Sequence, residues 1–181
     1  KAVTITFDKN GASSIGATSR SCTMYNTNTS CSITSPTITA SNNTPTVIGW
    51  STAADTHSNQ WSQNTAKSVS ANDTYYAQTS KAAKTVTITF NKNGATSQTP
   101  SGGSASTATT VNSSCTIAAT YNGVAQASTC NVTSPKITAS TNTPTVVGYN
   151  TSSSGTTSSW NQNTSKAVSS NAAYYAITKK H

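Results

Sequence analysis

Four cysteines are the residues of this chain whose spacing best indicates chemistry. They form two pairs, Cys22 with Cys31 and Cys115 with Cys130. A structural zinc site takes four ligands, usually in CxxC or histidine-containing patterns. The spacings here are too long for that pattern, and no histidine lies near either pair. A redox CxxC motif does not occur in the sequence either, so we expect one disulfide bond in each pair.

Each cysteine pair is centred on a turn signal. Asn122-Gly123 lies midway in the second pair, and Asn-Gly is a strong signal for a two-residue hairpin turn. Asn26-Thr27 takes the same place in the first pair and is a weaker signal. Opposed hairpin residues have Cα atoms about 4.5–5.5 Å apart, which lies within the disulfide range. We therefore predict that each disulfide closes a hairpin.

Acid and base side chains are scarce. The carboxylates are Asp8, Asp55 and Asp73, all in the first half, and the only histidine of the second half is His181. Paired-carboxylate or metal-assisted hydrolysis would lack its groups in that half. Asp55 and His57 are neighbours, but with so many serines a Ser-His-Asp arrangement is an unspecific signal. We predict no catalytic residue, no metal ligand and no cofactor.

Composition favours an extracellular β protein. Only 8% of the residues are charged and 33% are apolar, yet there are 7 Tyr and 3 Trp, and Val, Ile and Thr alternate in runs. The net charge of +8 comes from scattered basic residues with a single Arg, which argues against a nucleic-acid partner. The positive charge favours weak attraction to an anionic cell wall or glycan instead, so cell-wall or host glycans are candidate partners. No apolar run approaches the ~18 residues of a membrane span.

The chain consists of two copies of one sequence repeat. The second copy begins 83 residues after the first, and its later blocks are displaced by 99. Of the 16 extra residues, ten precede the second cysteine pair and six lie inside it, where we expect exposed loops and tips. The recurring blocks are KAVTITFDKNGAS at Lys1 and KTVTITFNKNGAT at Lys84, SPTITAS at Ser35 and SPKITAS at Ser134, and WSQNTAK at Trp61 and WNQNTSK at Trp160.

The repeat predicts two tandem β-rich domains, 1–82 and 83–181. Their linker is very short, so we expect a rod rather than independent beads. The repeat also selects one of the three possible cysteine pairings, because each unit must fold with its own pair. The chain opens at Lys1 inside a strand-like run without an initiator Met, so we expect a processed piece of a longer protein.

Within a unit the pattern is mainly β. VTITF alternates Val3, Ile5 and Phe7 with threonines, and the KNG that follows predicts a turn. Gly49 predicts a bulge or close packing. The polar stretch 53–70 predicts a short helix or an irregular crossover. Neighbouring tyrosines at 75–76 and 174–175 should alternate between a buried and an exposed face.

The motifs of each unit resemble the Listeria–Bacteroides repeat, the internalin B-repeat type of bacterial surface protein. The resemblance implies a small β-grasp-like domain, mainly β or α+β, in tandem arrays of secreted or wall-anchored stalks and adhesins, without catalytic residues. The second unit departs from the pattern at Asn91 and Tyr149, and the cysteines are an addition to it. The matching segments are residues 3–11, 49–52, 61 and 74–77, and residues 86–94, 148–149, 160 and 174–176.

Such stalks often carry Lys–Asn isopeptide cross-links, which need a buried carboxylate. The second unit has none. In the first unit Lys9 or Lys67, with an asparagine and Asp73, stays open as a candidate set. The disulfides would supply the covalent reinforcement otherwise.

The tryptophans suggest an alternative function, the binding of carbohydrate. Trp50 and its counterpart Tyr149 follow apolar residues and Gly, so we expect them to be buried. Trp61 and Trp160 stand in polar surroundings and are candidate glycan contacts if exposed. We therefore expect a non-catalytic extracellular stalk or filament repeat at a bacterial cell surface, whose partners are neighbouring repeats or other subunits. The alternative is a carbohydrate-binding module that uses exposed aromatics.

Overall fold

The computed structural model describes residues 1–180, so His181 lies outside the described residues. All seventeen elements in this range are β-strands, which confirms the mainly β prediction. No helix within residues 1–180 is long and apolar enough to cross a membrane. Two compact units are present. Unit 1 comprises Lys1–Ala83 together with Ala118–Gln126, and unit 2 comprises Lys84–Ile117 together with the chain from Ala127 onward.

Unit 1 contains nine strands. The first eight follow one another in the first repeat and the ninth, β12, comes from the separate segment. They are β1 Ala2–Asp8, β2 Ser14–Ile15, β3 Ser19–Thr23, β4 Cys31–Thr34, β5 Ile38–Thr39, β6 Thr46–Ser51, β7 Ala66–Val69, β8 Asp73–Lys81 and β12 Thr120–Tyr121.

The main sheet of unit 1 is built around β1 and β8, its first and last strands within the first repeat. These two run parallel, β3 pairs with β1, and β6 and β12 pair with β8. Val3, Ile5 and Phe7 lie on one face of β1 and are at most 2% exposed. The period-two alternation of VTITF therefore reaches the core as predicted.

Two short ladders, β2 with β5 and β4 with β7, complete the core of unit 1. Their buried residues Ile33, Ile38 and Val69 belong to the same apolar cluster as Val3 and Ile5. The unit is thus a main sheet with smaller β-ladders on its apolar face, an arrangement of two packed β layers.

Unit 2 repeats this topology, with β9 and β17 parallel at the centre, β11 beside β9 and β15 beside β17. The short ladders are β10 with β14 and β13 with β16. The strands are β9 Lys84–Asn91, β10 Ser97–Thr99, β11 Thr110–Ile117, β13 Cys130–Thr133, β14 Lys136–Thr138, β15 Thr145–Asn150, β16 Ser165–Val168 and β17 Ala172–Lys179.

Gly49 forms the predicted bulge in unit 1. The register of β6 against β8 shifts between Val47 and Gly49, and Gly49 has φ +145°. A Cβ at this position would lie 2.3 Å from the Asn59 side chain, so glycine is required for the close approach. The bulge turns Trp50 fully into the core.

The stretch 53–70 is an irregular crossover rather than a short helix. It places Trp61 beside Trp50, where the two backbones exchange hydrogen bonds of 2.9 and 3.1 Å, and it ends in β7. Polar residues and a positive φ at His57 and Asn64 break any helical run before the first turn can form.

Candidate functional site

The two disulfides pair the cysteines as predicted. Cys22 bonds to Cys31 and Cys115 to Cys130, with Cα–Cα distances of 5.9 Å in both cases. Residues 1–180 contain no free cysteine. Disulfides of this kind are typical of proteins that fold in an oxidising compartment.

The hairpin predicted around each disulfide is wrong. Cys22 lies in β3 of the main sheet, whereas Cys31 lies in β4, which pairs with β7. No ladder joins β3 to β4 in the part of the chain that the structure describes. The disulfide therefore ties the main sheet to the small ladder on its apolar face, and Cys115 and Cys130 do the same between β11 and β13.

The turns predicted inside each cysteine segment are present. Asn26 has φ +51° and the Asn28 amide donates to the Tyr25 carbonyl at 3.0 Å. In the longer segment Asn122 and Gly123 have φ +51° and +79°. A turn signal fixes the local backbone, but it does not require the flanking residues to pair across it, which is why the hairpin inference failed.

Trp61 and Trp160 are not exposed, which corrects their assignment as glycan contacts. Each is 4% exposed and packs on the core phenylalanine of its unit, at 5.7 Å from Phe7 and 5.3 Å from Phe90 between ring centroids. Their indole N–H groups donate to the carbonyls of Thr65 and Thr164 at 3.0 Å. The polar neighbours in sequence supply hydrogen-bond acceptors instead of marking a surface, because a buried indole needs one.

Lys67 covers the aromatic cluster of unit 1. Its ammonium lies 5.5 Å from the Trp61 ring centroid and donates to the Tyr75 hydroxyl at 3.0 Å. Asp73, the carboxylate suggested for an isopeptide bond with Lys67, is exposed and accepts a hydrogen bond from the Thr74 amide. The buried carboxylate that this reaction needs is therefore not supplied by Asp73.

Asp8 and His57 make structural contacts in unit 1. Asp8 accepts a hydrogen bond from the Asn10 amide at 2.7 Å, within the predicted KNG turn. The His57 ring stacks on Tyr121, with 3.7 Å between ring centroids and 9° between planes. Within residues 1–180 no hydrogen bond joins His57 to Asp55 or to a serine, and no group of three or more metal-ligating side chains occurs.

The most specific polar site of unit 1 is the place where the segment Ala118–Gln126 enters it. We call this segment the arm. Its strand β12 pairs antiparallel with the end of β8, Thr120 opposite Lys81 and Tyr121 opposite Ser80. The β1 strand pairs with β8 only as far as Tyr76, so the arm lies on the edge that β1 leaves open. Unpaired strand edges of this kind take up additional strands.

Asn122 at the tip of the arm completes the ladder. Its backbone N–H donates to the Thr79 carbonyl at 2.9 Å, and its side-chain oxygen accepts from the Thr79 amide at 3.0 Å. Its side-chain NH₂ donates to the Ala54 carbonyl at 2.8 Å and to the Gln78 side-chain oxygen at 3.2 Å. A single asparagine in the left-handed region thus satisfies four polar groups of unit 1.

Gly123 completes the hydrogen bonds between the arm and the rest of unit 1. Its amide donates to the Thr44 hydroxyl at 2.9 Å, and its carbonyl accepts from the Asn43 side chain at 3.0 Å. A Cβ on Gly123 would lie 2.5 Å from the Gly11 carbonyl oxygen. With the arm in place Thr44 and Thr79 are fully buried. The predicted Asn-Gly turn is therefore a docking element whose glycine is needed twice, for its φ and for its contact.

A groove of about 460 Å³ lies beside the docked arm. The stacked rings of His57 and Tyr121 stand at it, and the exposed Val124 forms part of its wall. Repeat comparison predicted a free tip for the six extra residues of the arm. No sequence signal marks this docking, because the burial of the polar residues Gln78 and Thr79 in β8 shows only in the structure.

Unit 2 has its own buried polar pair. Gln98 and Tyr149 are fully buried and hydrogen-bonded to each other. Burial raises the pKa of the Tyr149 phenol well above its ordinary value, an effect that the hydrogen bond from Gln98 opposes.

Comparison with known proteins gives no match: no family model, no curated protein and no solved structure is similar to this chain. The resemblance to the Listeria–Bacteroides repeat therefore stays a hypothesis carried by the motifs alone.

Proposed function

We propose that this chain is a non-catalytic, load-bearing repeat of an extracellular protein, a stalk or filament segment at a bacterial cell surface. The observation that carries the proposal is the parallel pairing of the first and last strands of the repeat in each unit. In unit 1 these are β1 and β8, and in unit 2 they are β9 and β17.

Parallel pairing of these strands determines how tension acts. The chain enters β1 at Ala2 and leaves β8 at Lys81, and in a parallel pair these points lie at opposite ends of the ladder. Tension between them pulls the strands in opposite directions along their axes. All the hydrogen bonds of the ladder are then loaded at once, rather than one after another.

Two further features support a mechanical role. Each disulfide ties the main sheet to the ladder that covers it and closes a loop with a sequence separation of 9 or 15 residues. The arm adds pairs at Ser80 and Lys81, where the chain leaves β8.

Single-molecule pulling tests the proposal. The chain is held first at its two ends and then, as the matched control, at Lys1 and Ala71. Ala71 is exposed and precedes β8, so the control peels β8 from β1 instead of shearing it. We expect unit 1 to unfold at a clearly higher force in the first geometry, and equal forces would contradict the load-bearing role.

Reduction of the disulfides supplies a second readout of the same traces. Each reduced loop adds its extended length, roughly 3.5 Å per residue, minus the 5.9 Å already spanned. The contour length should therefore rise by about 26 Å for unit 1 and about 47 Å for unit 2. These increments also identify which unit has unfolded.

A further inference from the structure

Unit 2 carries the same docking edge that the arm occupies in unit 1. Strand β17 pairs with β9 only as far as Tyr175, as β8 pairs with β1 only as far as Tyr76. Beyond that point β8 takes up β12, whereas no strand pairs with this side of β17 anywhere in residues 1–180. The edge is therefore an open ladder of the type that β-augmentation uses.

The groups that bind Asn122 and Gly123 recur on this edge. Thr178 stands opposite Val146 as Thr79 stands opposite Val47, so its backbone N–H and C=O point to the position that Asn122 takes in unit 1. Five of the six acceptor or donor groups have counterparts. The counterparts are the Thr178 N–H and C=O, the Ser153 carbonyl, the Thr143 hydroxyl and the Asn142 side chain.

The binding site in unit 2 is preformed in the absence of a bound arm. The Thr143 and Thr178 hydroxyls are 2.8 Å apart, as are those of Thr44 and Thr79 in unit 1. Asn93 donates to the Ser153 and Ala176 carbonyls and so holds the turn beside the edge. No ordering of the receiving side is needed, which lowers the cost of binding.

Exposure distinguishes the two sites. Thr44 and Thr79 are fully buried under the arm, whereas Thr143 and Thr178 are only half-buried. A Cβ on Gly11 would collide with the Asn122 carbonyl, but a Cβ on Gly94, the equivalent residue of unit 2, would meet no atom within 4 Å. The space that the arm fills in unit 1 is open in unit 2.

We propose that this edge of unit 2 binds the arm of another copy of the longer repeat, a disulfide-based β-arm with a Tyr-Asn-Gly tip like residues 121–123. The inference rests on the proposed stalk function and names its partner. Ile177 and Thr156 replace Gln78 and His57, so one hydrogen bond and the ring stacking are lost. Binding to unit 2 is therefore weaker than the contact in unit 1.

An NMR titration tests the proposal. The full chain, labelled with ¹⁵N, is titrated with the oxidised peptide of residues 115–130. We expect saturable shifts of the Thr178, Thr143 and Asn142 amides. A peptide carrying Asn122→Ala should bind at least tenfold more weakly, because it lacks the side-chain amide that would accept from the Thr178 N–H and donate to the Ser153 carbonyl. No shift of these amides at millimolar peptide, or equal binding of the two peptides, overturns the proposal.

Gly94→Asn is the blocking variant of the chain, and Gly102→Asn is its matched control. Both glycines have positive φ and open space around them, +85° and +69°, and asparagine tolerates this backbone region. Gly94→Asn should abolish the shifts and Gly102→Asn should not. The same residue placed at either site costs similar strain, so unequal binding reports the docking edge.

A dilution series of the ¹⁵N-labelled chain without peptide tests the alternative, in which a different element of a second chain binds this edge. If the Thr178 and Thr143 amides shift with chain concentration in the absence of peptide, the partner is a different element of a second chain, such as the exposed Tyr25 tip, and the assignment is wrong. Failure of the titration leaves the pulling forces unaffected, so the two proposals fail separately.

Discussion

The Gln98 side-chain NH₂ donates a hydrogen bond to the Tyr149 hydroxyl across 3.0 Å in the core of unit 2. The same two positions in unit 1 hold Ile15 and Trp50, and there the Trp50 indole donates to the Pro36 carbonyl at 3.1 Å. The two substitutions belong together, because a buried phenol needs a partner that isoleucine cannot supply.

Gln98→Ile should destabilise unit 2 by about 1–3 kcal/mol, the cost of leaving the Tyr149 hydroxyl buried and unpaired. The double variant Gln98→Ile with Tyr149→Trp restores the pair found in unit 1 and should recover part of that loss. Hydrogen exchange at the Ile88 amide measures the effect in unit 2, and the Ile5 amide is the internal control. Additive losses in the double variant would show that the two positions are not coupled.

Alkaline pH should destabilise unit 2 through Tyr149. The raised pKa of Tyr149 keeps its phenol neutral in the folded unit, while the unfolded chain ionises at about pH 10. The contribution is therefore fully present below that pH and is lost as the pH rises further, with a limiting slope of about 1.4 kcal/mol per pH unit. Tyr149→Phe should remove this slope, which urea titrations at pH 9 to 11 would detect.

Gly11→Ala should release the arm from unit 1. The new Cβ would collide with the Asn122 backbone and also sits at φ +83°. Gly94→Ala carries the same backbone strain, about 1–2 kcal/mol, without any collision. The difference between the two variants is the cost of undocking. Undocking should appear as faster hydrogen exchange of the Thr79 amide in Gly11→Ala than in Gly94→Ala. Equal exchange rates in the two variants would show that the arm does not dock at Gly11.

Removal of either disulfide by paired Cys→Ala substitution should cost very roughly 2–3 kcal/mol in the chain-entropy model. The longer loop between Cys115 and Cys130 should cost more by about 0.5 kcal/mol, since its sequence separation is 15 rather than 9. Thermal unfolding of the two double variants measures both values. A larger loss at Cys22 and Cys31 would indicate that native-state contacts, rather than loop closure, dominate.

Sequence patterns predicted the parts of the fold that depend on short-range rules. Alternation placed Val3, Ile5 and Phe7 in the core, and Asn-Gly signals placed the turns. The cysteine pairing followed from the repeat. The face of Trp61 and the partner strand of Cys31 depend on which layers meet, and such long-range packing leaves no periodic mark on the sequence.

The site on β8 was also beyond sequence reasoning. Residues 118–126 belong by alignment to the second repeat, and nothing in their pattern says that their partners are Thr44 and Thr79. The repeat comparison showed that the segment was longer by six residues. Only the hydrogen bonds of Asn122 show what the added length does.

The arm also sets the order in which the chain can fold during synthesis. Unit 1 is complete only when residue 126 has been made, 43 residues after Ala83. Until then the edge of β8 is exposed to solvent, together with the Thr44 and Gln78 side chains. The nascent chain therefore carries an open binding site. A recombinant fragment cut at the repeat boundary would carry that same gap, so a faithful sample of the first repeat has to include the arm of the second.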